Sequence, residues 1–77
     1  MLTNQNILAN NVEKRLKVTS IRLDSKKKLY RVSLYSMAGV YWADSSKIEC
    51  LKKSIHSKKK ATLTYDVHSL VISKCEF

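Results

Sequence analysis

The residues of this chain best suited to chemistry are cations and rings. Lys26, Lys27 and Lys28 run together, Arg31 follows shortly after, and Tyr35, Tyr41 and His68 add aromatic surface. Single-stranded DNA or RNA asks for that mixture. Ammonium and guanidinium groups track phosphates, while rings stack on bases at about 1–3 kcal/mol per base. The overall charge points the same way: 15 Lys+Arg face 6 Asp+Glu, for a net charge of +9. An excess of this size favours polyanionic partners. A plainer reading stands beside each residue. Tyrosines are good strand formers that pair across sheets, and a lysine-rich surface also keeps a small domain soluble.

Catalytic chemistry lacks its parts. His56 and His68 each neighbour a serine, but sequence adjacency does not make a triad. Five of the six carboxylates, Asp24, Asp44, Glu49, Asp66 and Glu76, fall singly at turns, caps and ends. One glycine cannot build a phosphate-cradling loop. Cys50, His56, His68 and Cys75 match no standard zinc spacing, so no metal or cofactor is called for and no enzyme is expected. The two cysteines are expected as free, half-buried thiols in a reducing compartment, the alternative being a single bridge from helix to last strand, since both elements pack on one core. The first residues lack the basic and apolar regions of a leader, and no stretch approaches a membrane span. A cytoplasmic location is the expectation, with secretion only if a leader has been removed.

The elements that must hold these residues can be read from period. Residues 1–11 carry several asparagines and no charge, and read as a flexible tail ahead of a single domain over 12–77. Two alternating strands occupy roughly 14–36, joined by a loop at Asp24–Lys28. Leu16 and Val18 share one parity and Ile21 and Leu23 the other, so a bulge is required near Thr19–Ser20. Tyr30, Val32 and Leu34 point inward, leaving Arg31, Ser33 and Tyr35 outward. In Val40–Ala43 the expectation is Val40 and Trp42 inward, Tyr41 and Ala43 outward. A helix follows near 46–58, with Ser46 at the N-cap and Glu49 three residues on as a capping box. Ile48, Leu51 and Ile55 form its apolar stripe. Lys58-Lys59-Lys60 suits the negative end of the helix dipole. Strands at 61–67 and 70–77 close the chain.

Strand-strand-strand-helix-strand-strand in so short a chain resembles a small five-stranded barrel of the OB type, mainly β with one helix. Such barrels bind ligands across strands 2 and 3 and the flanking loops, which here offer Lys26, Lys27, Lys28, Arg31, Tyr35, Tyr41 and His68. The passage Trp42-Ala43-Asp44-Ser45-Ser46-Lys47, continuing through the helix to Ala61-Thr62-Leu63-Thr64-Tyr65, resembles the strand–helix–strand unit of bacterial AB5 toxin B subunits. That resemblance covers about a third of the chain and implies a ring-forming, glycan-binding subunit. The leading expectation is a single-stranded nucleic-acid-binding module. The alternatives are a protein-interaction or assembly domain, and an oligomeric glycan-binding barrel.

Overall fold

The computed structural model describes residues 10–77. The expected tail lies, for residues 1–9, outside the described residues. Asn11 already belongs to the first strand.

Among the described residues, six strands and one α-helix follow in order: β1 (Asn11–Leu16), β2 (Val18–Asp24), β3 (Leu29–Leu34), β4 (Tyr41–Ala43), α1 (Ile48–Ser57), β5 (Ala61–Asp66) and β6 (Ile72–Glu76). They form two three-stranded sheets, β1-β5-β6 and β2-β3-β4, antiparallel throughout. This corrects the expected five-stranded closed barrel. The long first strand is two strands: Leu16 ends the β1–β5 ladder opposite Ala61, and Val18 begins the β2–β3 ladder opposite Leu34. Lys17 between them is where the chain passes from one sheet to the other. Across the remaining gap, β4 is only three residues long. It joins the other sheet's side by a single parallel bridge, Trp42 to Val71, with the Trp42 N–H donating to the Leu70 carbonyl at 2.9 Å. One bridge does not make the ladder that closure needs. The register shift between Val18 and Ser20 is the bulge that the parity switch demanded.

The helix covers the inner faces of both sheets. Ile48, Leu51 and Ser54 are buried on it, and Ile55 packs at the edge. They meet Val18, Val32, Leu34, Tyr41, Ala43, Ala61, Leu63, Tyr65 and Ile72, which complete the core. Leu23, expected to share a face with Ile21, is exposed beyond the core's end.

Ser54 is the one buried polar residue among them. Its hydroxyl accepts the Val18 N–H at 3.0 Å and donates to the Lys59 carbonyl at 2.6 Å. The backbone donor that opens β2 is thereby satisfied by the helix. The helix start differs from the expected capping box. A 3-10 turn over Ser45–Lys47 precedes α1, and Asp44 caps it by accepting the Ser46 N–H at 3.0 Å. Ser46 therefore lies inside the turn and cannot serve as N-cap.

With one glycine, the chain turns by a repeated device. Asp24 accepts the Lys26 and Lys27 N–H groups on one carboxylate oxygen, its carbonyl accepts the Lys28 N–H, and Lys28 takes the left-handed conformation. Asp66 does the same for His68, Ser69 and Leu70, with Leu70 left-handed. Aspartate supplies the local acceptor that such turns need, and its electrostatics follow. The N–H groups of Ser69 and His68 hold the Asp66 carboxyl below its ordinary value, and the Ser46 hydroxyl does so for Asp44.

Candidate functional site

The β2–β3–β4 register sets a row of side chains across the outer face of that sheet. Arg22 lies opposite Arg31, and Arg31 opposite Trp42. Directly opposed residues share a face, so two guanidinium groups and an indole stand side by side on the solvent side. The Asp24 turn then brings Lys27 over the same ring. The Lys27 Nζ lies 5.0 Å from the Trp42 ring centroid, and the Arg31 Cζ 5.9 Å. Both distances fall within cation–π reach, worth about 0.5–1 kcal/mol each at an exposed site. Arg22 and Arg31 also line, with Ser20, Ile21, Ser33 and Val40, an open cleft of about 310 Å³ beside this row. Among the described residues the ion pairs are Lys47 with Asp44 and Lys74 with Glu76. The cations around Trp42 thus have no carboxylate partner there, and their fields add.

Of the residues singled out in the sequence, Lys27 and Arg31 come together here. Lys26 and Lys28 flank Lys27 in the same turn and are exposed. His68 sits exposed in the β5–β6 turn, directly before the Ser69–Leu70 segment that leads to the Trp42 bridge. Tyr35 is 62% exposed but stands past the end of β3, about 13 Å along the strand from Arg31 at roughly 3.3 Å per residue. Its ring carries a different cation, Lys17, whose Nζ lies 5.2 Å from the centroid.

Tyr41 is not on this outer face, contrary to expectation. It is 3% exposed and packs edge-to-face on Tyr65 with ring centroids 4.9 Å apart. Burial, and then the neighbouring Tyr65 phenol, push its phenol above the ordinary value. The reason is register: Tyr41 lies opposite Val32, a core residue, so it must face the core. The same register turns Trp42 outward, although it was expected inside. Val40-Tyr41-Trp42-Ala43 is apolar throughout, so alternation offers no parity there. Arg22 was overlooked for a simpler reason: only the pairing of β2 with β3 places it beside Arg31.

The cysteines also differ from the expected free thiols. Cys50 on α1 and Cys75 on β6 form a disulfide across a Cα–Cα distance of 6.0 Å. Helix and last strand pack on one core, which brings two residues 25 apart within bonding geometry.

Among the described residues no group of three His, Cys, Asp or Glu side chains could hold a metal ion, and no helix is long and apolar enough to cross a membrane. Comparison with protein-family models, with curated proteins and with solved structures finds no match.

Proposed function

We propose that this protein binds single-stranded nucleic acid on the outer face of β2–β3–β4. The observation that carries the reading is the Trp42 ring flanked by Lys27 and Arg31, in a cross-strand row with Arg22. An aromatic platform supplies base stacking, and unpaired cations around it supply phosphate contacts. The adjoining cleft gives the backbone of the strand a path along β3. Lys26 and Lys28 extend the positive rim.

Trp42 is the only tryptophan of the chain, so its fluorescence reports on this site alone. Titration with decathymidylate should quench it, with a dissociation constant tighter than about 10⁻⁴ M at low salt, the weak limit of non-specific binding. Lys27→Gln should lower the salt slope by about 0.7, one phosphate contact. Trp42→Ala, followed by anisotropy of a labelled strand, should weaken binding by about 1–3 kcal/mol, one stacked base. Absence of quenching at low salt would refute the reading.

A second reading is an acidic glycan on the same face, favoured by the Cys50–Cys75 disulfide. Such bonds persist in oxidising compartments, and a sulfated or carboxylated glycan would bring negative charge to the same cations. A sulfated heparin oligosaccharide that quenches Trp42 where decathymidylate does not would select it.

A further inference from the structure

Tyr35 borders a second cleft at the other end of β3. Its ring, with Arg15, Leu16, Lys17, Ser36 and Lys60, lines an open cleft of about 290 Å³. The site is built from both sheets. The Tyr35 N–H donates to the Lys17 carbonyl at 2.8 Å, and the Lys17 ammonium rests on the Tyr35 ring. Main chain and side chain of one residue therefore clamp the other. The β1–β5 register, with Leu16 opposite Ala61, carries Lys17 and Lys60 to the same sheet end. Ser36 holds a left-handed φ of 65° directly after Tyr35, a conformation that serine rarely adopts.

Arg15, Lys17 and Lys60 converge on this cleft, and no carboxylate lines it. None of them is in an ion pair of the described residues. A cation–π contact between Lys17 and Tyr35 needs no ligand. Three like charges around one exposed ring repel one another, and an anion relieves that repulsion. An exposed ring beside those charges suits an anion that carries a flat base.

We infer that this cleft is a second nucleotide-binding station, taking a phosphate among Arg15, Lys17 and Lys60 and a base against Tyr35. The inference rests on the proposed nucleic-acid reading of the Trp42 face. The two stations lie on one line: Arg31 beside Trp42, then Ser33 in the intervening cleft, then Tyr35. Their separation along β3 is about 13 Å. A strand rising about 3.4 Å per stacked nucleotide covers that distance with roughly four nucleotides, so one oligonucleotide can engage both. Linked engagement multiplies affinity through effective concentration.

The test is a titration of decathymidylate into ¹⁵N-labelled protein, read by amide shifts, with strand affinity measured in parallel on variants. The amides of Lys17, Tyr35 and Ser36 should shift together with those of Arg31 and Trp42. Tyr35→Ala should weaken binding about tenfold, within the range for one stacked base, while Tyr35→Phe retains it. Arg15→Gln with Lys60→Gln should lower the salt slope by about 1.4, two phosphate contacts. These side chains are exposed, and unchanged melting curves would certify the variants as folded. If Arg31 and Trp42 shift while the Tyr35 cleft stays silent and Tyr35→Ala binds normally, the second station is refuted and the Trp42 reading survives. If no amide shifts, both fall. Shifts at the Tyr35 cleft alone would overturn the Trp42 reading and, with it, a two-station track.

Discussion

Replacing Ser54 by alanine tests whether a single buried hydroxyl holds the crossing between the two sheets. Ser54 is 0% exposed and Val18 2% exposed. The substitution removes the acceptor of the Val18 N–H and leaves that donor buried. An orphaned buried donor costs about 1–3 kcal/mol. The Lys59 carbonyl also loses its donor, but Lys59 is exposed and water replaces the bond at little cost. The expected loss is therefore about 2 kcal/mol, nearly all from one N–H group. For a chain of this length that is a fall in Tm of about 12 °C, at about 6 °C per kcal/mol. Urea denaturation followed by circular dichroism gives the free energy directly, with the denaturant slope unchanged if only the native contact is lost. Ser57→Ala is the control. Its hydroxyl donates to the Lys53 carbonyl on the exposed side of the same helix, and its loss should stay within about 0.5 kcal/mol. A Ser54→Ala loss no larger than that of the control would refute the account, because it would mean the Val18 N–H does not depend on the helix.

The Cys50–Cys75 bridge closes a loop of 25 residues, which the chain-entropy relation values at about 3.5 kcal/mol. That is a large share of the roughly 4–12 kcal/mol expected for a domain of this size. Adding reductant should shift the urea midpoint accordingly, and an unchanged midpoint would contradict the bridge. Lys58 ends α1 in a left-handed conformation with φ 60°, so Lys58→Gly should stabilise the fold by about 1 kcal/mol; destabilisation would argue against that helix end. Asp44 and Asp66 have folded values lowered beneath the unfolded carboxylate value of about 4. Their stabilisation is complete above that value and disappears as pH falls through the lower folded values. Melting temperature should thus be insensitive to these groups from neutral pH to about pH 5 and decline below about pH 4, and the double change Asp44→Asn, Asp66→Asn should flatten that decline.

Much of the architecture was legible because it depends on neighbours in sequence. The alternation in Tyr30–Leu34 and Ala61–Tyr65 set the inner faces of β3 and β5, and Val32, Leu34, Ala61, Leu63 and Tyr65 are buried as that pattern requires. The stripe Ile48, Leu51, Ile55 identified the inner face of the helix. The parity switch between Val18 and Ile21 located a bulge that the register contains. The turns at Asp24 and Asp66 were visible from the acceptors they carry.

What sequence left open was decided by contacts between distant residues. Four apolar residues in a row, Val40–Ala43, carry no period. Which of Tyr41 and Trp42 faces the core was settled only when β4 paired with β3 and set Tyr41 opposite Val32. The candidate site turned on that choice, since it exchanged a buried tyrosine for a half-buried, outward-facing tryptophan under two cations. Asp44 and Ser46 can both cap a helix, and the 3-10 turn selected Asp44. The disulfide required β6 to lie against α1. Separation into two sheets required β4 to be too short for more than one bridge to Val71. Side-chain period is a local property of the backbone, whereas register, partner and closure are set by packing between segments far apart in the chain. Composition gave this protein its net charge of +9, and the tertiary structure decided which ring and which cations meet.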